Sequence, residues 1–235
     1  VMNIIKTIQK ELKRQADPTV KKSALRWFKE PIKLYGVKTP EVRRMSQEFY
    51  REVQDLSKNE LFDICEKLMQ SGMQEEFVIA SAWAFRRRKE FNETDFDRFE
   101  AWVDQYVSNW AMCDDFCTKS LGYLLLDFPA LVPKIKLWTK SKNQWVQRAC
   151  TVSLIIPVRN KQNIDDVFDV AFDLLECPED MVQKGYGWML KEATKHYQDE
   201  VFKFVMKYKS HMPRTALRYA IEKMPKRLKK DTMIK

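Results

Sequence analysis

A chain of 235 residues with 45% hydrophobic content can bury a large core, as one extended domain or two small ones. Five glycines are too few for the turns of a sheet-rich fold or for a phosphate-cradling loop, which argues against a Rossmann or P-loop nucleotide site. Lysine and arginine number 42 against 33 acids, and the resulting charge of +9 favours an anionic partner, either nucleic acid or a membrane surface.

Apolar residues recur at helical spacing almost throughout, and no stretch alternates for long with strand period. The opening VMNIIKTIQKELKRQ places Ile4, Ile5, Ile8 and Leu12 on one stripe and has no signal-peptide h-region. Asp17-Pro18 and Thr39-Pro40 each read as an N-cap followed by proline at the first helical position. Glu75-Glu76 reads as a solvated turn. FRRRKE, with Arg86, Arg87 and Arg88, fits a phosphate clamp or a helix C-terminus balancing its dipole equally well. In NWAMCDDFC, Trp110 and Asp114 stand at i and i+4, one above the other on a helix; Asp115 is a rival to Asp114, and since neighbours cannot share a direction one of the two should face away. IDDVFDVAFDLL carries another stripe, and Pro129, Pro157, Pro178 and Pro213 fall between stripes. PKRLKK, in a basic tail of about residues 225–235, reads as a frayed end. About a dozen short helices are expected, in an all-α fold.

The five cysteines, Cys65, Cys113, Cys117, Cys150 and Cys177, are odd in number and form no CxxC, which suits buried reduced thiols. Cys113 and Cys117 lack a second ligand pair, since the only histidines are His196 and His211, so neither metal nor cofactor is expected. No apolar run approaches the ~20 residues of a membrane span. A cytoplasmic, nucleoid-associated monomer that makes no membrane contact is expected.

The chain also resembles itself. Val146-Gln147-Arg148 aligns with Val182-Gln183-Lys184, and the same register passes through Phe77, Cys113 and Thr215. The steps are a little under the ~40 residues of HEAT and armadillo repeats. The expectation is therefore a superhelical solenoid of HEAT-like (armadillo-like) helical repeats, forming a single domain over 1–235. In such a stack equivalent positions line up along the concave side, which would set Trp110, Asp114, Arg148, Lys184 and Trp188 in one row.

On YGVKTPEVRR, NWAMCDDFC, WVQRA and VQKGYGWMLKE, which fall in order across most of the chain, the sequence resembles the AlkD-type DNA alkylation repair family, of HEAT-like fold. The resemblance implies a DNA N-glycosylase that removes N3- or N7-alkylated purines from double-stranded DNA without flipping the base into a pocket. It implies that Trp110, Trp188 and Asp114 face the lesion and that Arg148 meets the backbone, with Trp27 a candidate for the aromatic residue near the first repeats. Lys184 joins Arg148 as a phosphate contact through the repeat register. The chemistry suits these residues. An alkylated purine is already cationic and leaves as a neutral base, so no strong general acid is needed. A carboxylate can stabilise the oxocarbenium-like sugar, and indole faces attract cations. The alternative is a non-catalytic binder of branched or distorted DNA.

Overall fold

A computed structural model describes residues 2–233, which are helical and turn in character; one isolated bridge, Lys33 to Met73, is the sole β pairing among them. The chain divides into two compact units, residues 1–91 with 97–116, and residues 92–96 with 117–235.

The first unit holds α1 (Met2–Arg14), α2 (Pro18–Leu25), α3 (Thr39–Tyr50), α4 (Lys58–Met69), α5 (Gln74–Arg86), most of α6 (Asp95–Tyr106) and α7 (Trp110–Phe116). Local chemistry sets the helix starts. Asp17 accepts the Thr19 and Val20 N–H groups at 2.7 and 3.3 Å, with Pro18 opening α2 as expected. Ser57 and Glu60 form a reciprocal capping box on α4. At α3 the start lies one residue earlier than expected: extended Lys38 is the N-cap, and Thr39 is already helical. The stripe of α1 buries Ile8 and Leu12 completely. The core is aromatic, with Phe62 edge-on to Trp102 at 5.4 Å and Phe99 edge-on to Phe116 at 5.2 Å. The buried Trp83 indole donates to the Ser46 carbonyl at 2.8 Å and ties α5 to α3.

The second unit begins with a π-helical turn (Cys117–Leu121), followed by α8 (Gly122–Asp127), α9 (Val132–Lys136), α10 (Gln144–Ser153), α11 (Ile155–Arg159), α12 (Ile164–Asp173), α13 (Asp180–Tyr208), α14 (Arg214–Ala220) and α15 (Lys226–Met233). The long α13 packs against α10, α11, α12 and α14. It bends at Tyr197, which leaves helical dihedrals (φ −133°, ψ 43°) and donates its hydroxyl to the Lys161 carbonyl at 2.9 Å. Two glycines let neighbours approach α13. A Cβ on Gly185 would stand 2.5 Å from the Thr151 hydroxyl of α10, and one on Gly187 would stand 2.8 Å from the Ala216 carbonyl of α14.

Two expectations need correction. The basic tail is not frayed: residues 226–233 form α15, Thr232 is buried and Lys209 reaches the Asp231 carbonyl. Residues 234 and 235 lie outside the described residues. Pro157 does not separate helices but sits inside α11 and is buried; so near the helix start, its missing N–H removes few helical bonds.

The repeat register is visible in burial. Phe77, Cys113, Val146 and Val182 are all buried and sit in the first turn or so of α5, α7, α10 and α13. Thr215, in α14, is half-buried, and its neighbour Ala216 is buried instead.

Gly187→Ala drives a methyl group into the backbone of α14, where no rotamer change relieves it. The expected cost is about 1–3 kcal/mol, the range for overpacking. Urea unfolding of the variant measures it, and an unchanged midpoint would show that α14 does not press on α13.

Candidate nucleic-acid interface

In the first unit Trp110 and Asp114 lie one turn apart on α7, and both are half-buried. Asn109, fully buried, caps this short helix by accepting the Met112 N–H at 3.0 Å, while its own amide donates to Gln74 of α5 at 2.9 Å. Asn143 does the same for α10, accepting the Trp145 N–H at 3.0 Å. The Trp110 ring is held on two sides. Its N–H donates to the Trp27 carbonyl at 3.3 Å, and Phe28 stacks on it at 5.3 Å with 18° between planes. Trp27 itself is 75% exposed. The unit thus brings Trp27 and Trp110 together, on the wall of a pocket of about 240 Å³ that Phe28, Val42, Glu75 and Ala111 also line. Phe28 escaped sequence reasoning; its place beside Trp27 in LRWFKE was its only signal.

Glu75 and Glu76 are not a solvated turn. They open α5, 4% and 0% exposed respectively. Glu75 accepts three consecutive backbone N–H groups, from Tyr35 at 3.0 Å, Gly36 at 2.8 Å and Val37 at 3.1 Å. Glu76 accepts the Tyr35 hydroxyl at 2.6 Å and the Gln9 amide at 3.0 Å. Burial, with Glu76 beside it, pushes the Tyr35 phenol far above its ordinary range. YGVKTP is therefore the backbone cradle of a buried carboxylate. Gly36, at φ +97°, makes the turn.

The arginine triplet stands apart from this pocket. Arg87 donates to the Gln54 and Leu56 carbonyls at 3.0 and 2.8 Å and pairs with Glu90 at 2.9 Å, pinning the end of α5 to the turn before α4. Arg86, exposed, lies over the Tyr50 ring at 4.5 Å, and Arg88 opens a 3₁₀ turn. Arg87 is thus engaged as a tie between the end of α5 and that turn.

In the second unit Lys184 and Trp188 lie one turn apart on α13, both half-buried, with Lys184 pairing Asp180 at 2.8 Å. Arg148 packs against Gly185 between them and donates to the Met181 carbonyl. It is only 5% exposed. The Trp188 N–H donates to Glu192 at 3.3 Å, one further turn along. Glu192, buried, also accepts Arg159 at 2.9 Å and Lys223 at 2.8 Å. Burial alone would raise its pKa, but the hydrogen bonds and charges of Arg159 and Lys223 outweigh burial and hold the carboxyl below its usual value of 4.5. Sequence reasoning missed Glu192, whose two cations come from 33 and 31 residues away.

All five cysteines are free and buried, and burial pushes the Cys65 and Cys150 thiols far up, so neither is poised to react. No group of three or more His, Cys, Asp or Glu residues among the described residues is placed to hold a metal ion. No helix among them is long and apolar enough to cross a membrane.

These features define an all-α protein with paired aromatic and acidic groups on a basic chain, and the sequence as a whole agrees. Residues 8–224 match the model of the DNA alkylation repair enzyme family, and the chain belongs to that family. A solved structure described as a predicted DNA alkylation repair enzyme from Enterococcus faecalis is similar in fold, with a TM-score of 0.80 and 21% identity over 90% of this chain and 98% of that one. No curated protein sequence matches the chain.

Because the Glu192 pKa is lowered in the folded state, its contribution is fully present above pH 4.5 and is lost as pH falls through the folded value. Glu192→Gln should lower stability at neutral pH by about 1–2 kcal/mol, toward the low end for a charged hydrogen-bonded group because Arg159 and Lys223 are partly exposed. Urea midpoints of the two proteins should converge as the pH is lowered into the acid range. A constant gap at every pH would mean that the charge contributes nothing.

Proposed function

We propose that this protein is a DNA N-glycosylase that excises cationic N3- or N7-alkylated purines from duplex DNA. The observation that carries the reading is the α7 pair: Trp110, its indole locked by the Trp27 carbonyl and Phe28, with Asp114 one turn beyond. A fixed ring and a carboxylate at a fixed offset are what a developing positive charge on a sugar calls for. In the reaction the C1′–N bond breaks, its electron pair stays with the base, and the base departs neutral. Asp114 stabilises the cationic sugar and orients a water, whose oxygen bonds to C1′ as it loses a proton. Trp110 in the first unit and Trp188 in the second each supply an indole face of the kind that attracts a cation.

Lys184 supplies phosphate contact at the surface. Arg148, buried against Gly185 and donating to the Met181 carbonyl, supports that contact by holding the stretch of α13 that carries Lys184. Both act on the ground state, holding a polyanion that Asp114 by itself would repel. The net charge of +9 supports this division.

Asp114→Asn keeps the shape and removes the charge. Single-turnover release of 7-methylguanine from a duplex should slow by roughly 10²–10³, the scale for losing one preorganised electrostatic partner. Equilibrium DNA binding should hold or tighten, and Asp115→Asn should do much less. Wild-type release rates in Asp114→Asn would remove the catalytic role. Tight junction binding by a wild type that releases no base would favour the non-catalytic alternative.

A further inference from the structure

Beyond the bend at Tyr197 from Trp188, the second unit carries an aromatic ridge. Phe168 and Phe172 lie one turn apart on α12, and Phe204 and Tyr208 one turn apart on α13. Phe168 stacks on Phe204 at 5.1 Å with 15° between planes, Phe172 meets Tyr208 edge-on at 5.3 Å, and Phe204 and Tyr208 join the two pairs at 4.9 Å. The top of this ladder is open. Phe172 is 53% exposed, whereas Val167 and Val170 of the same helix are fully buried.

Two hollows flank the ridge and share Phe172 and Tyr208 as a wall. Their charge differs. The hollow on the Phe168 side, about 390 Å³, sets Asp169 and Glu200 against Lys203 and Lys207. The hollow on the Leu175 side, about 440 Å³, is lined by Asp173 and Glu176 and by no lysine or arginine among the described residues. Asp173 already pairs with Lys140 at 3.2 Å. Glu176, its side chain 81% exposed, meets the His211 ring at 3.2 Å and no lysine or arginine. The acids continue along the chain: from Asp165 to Asp180 there are seven, with no lysine or arginine, in a protein of net charge +9. Such a stretch repels a polyanion, so nucleic acid does not fit this surface. A solvated helix face accounts for the acids but not for a four-ring ladder opening among them.

Ring and charge together select the partner. A guanidinium stacks on an aromatic face and forks onto a carboxylate, and an ammonium does neither as well. The ridge already attracts one cation of its own, the Lys207 ammonium over the Tyr208 ring at 4.8 Å, which leaves Phe172 as the open ring. We propose that this ridge is a docking surface for an arginine-bearing segment of another protein. The arginine enters the hollow between Phe172 and Glu176, with its fork on the carboxylate and its plane on the ring. An apolar side chain one turn away lies against the Phe168 side, where acids and lysines balance. The proposal stands whether or not the protein excises bases.

The test titrates the whole protein into fluorescein-labelled, alanine-based helical peptides and follows anisotropy. One peptide carries a single arginine with a leucine one turn away, and the other carries lysine in place of the arginine. The arginine peptide should bind with a Kd of roughly 10–100 μM, and the lysine peptide about fivefold more weakly or worse. Phe172→Ala removes a half-exposed ring and should weaken the arginine peptide about tenfold. Glu176→Lys places a like charge at the fork and should abolish binding. Both variants should keep the wild-type circular dichroism spectrum. Binding of neither peptide, equal binding of the two, full binding by both variants, or displacement of the peptide by duplex DNA would overturn the proposal. So would a concentration-dependent dimer in sedimentation that Phe172→Ala dissolves, because the ridge would then belong to a second copy of the chain.

Discussion

One buried carboxylate organises the first unit. Glu75 satisfies three successive N–H groups that would otherwise be orphaned in the turn Tyr35–Val37. The held turn presents the Gly36 carbonyl to the Asp17 N–H at 3.1 Å, and Asp17 in turn caps α2. Just past the end of α2 come Trp27, whose carbonyl holds the Trp110 indole, and Phe28, which stacks on it. Five links thus run from an acid on α5 to the orientation of a ring on α7. Each link is a hydrogen bond or a stacked pair worth about 1 kcal/mol net, but losing the first would leave buried donors unsatisfied, which costs more than any one bond contributes.

The second unit solves a similar problem by another route. Glu192 is also buried and also anchors a tryptophan, but its partners are Arg159 and Lys223. Its charge is matched locally, so it holds Trp188 without projecting a field. Glu75 and Glu76 are met by neutral donors instead. The same side-chain chemistry therefore positions an indole in each unit, through backbone N–H groups in one and through two cations in the other.

The parts legible in the sequence are those that depend on near neighbours. The Asp17-Pro18 start, the buried stripe of α1 and the i,i+4 relation of Trp110 and Asp114 all follow from residues within a turn or two. The register through Phe77, Cys113, Val146 and Val182 was legible because a repeated unit buries the same position each time. What could not be read depended on distant partners. Glu75 meets its donors some 40 residues back, and two adjacent acids with no cation nearby in sequence look solvated. The tail misled for the same reason: six of the eight α15 residues are polar or charged, yet its backbone is held from Lys209, 22 residues away. Arg86 to Arg88 fit two readings equally, and the Gln54 and Leu56 carbonyls that Arg87 meets lie more than 30 residues from it.

Acids kept beside the aromatic rings of a protein of charge +9 work, on charge alone, against affinity for DNA. The conflict disappears once ground state and transition state are separated. Phosphate attraction is long-ranged and is summed over many cations, so a few acids reduce it little. A cationic sugar or base is local, and only a carboxylate within a few ångströms stabilises it strongly. On the proposed reading, Asp114, on the same short helix as a locked indole, sets negative charge where positive charge would develop. On that reading, phosphate contacts from distant lysines and arginines, which do not distinguish damaged from undamaged DNA, hold the duplex, and the acid acts on the transition state.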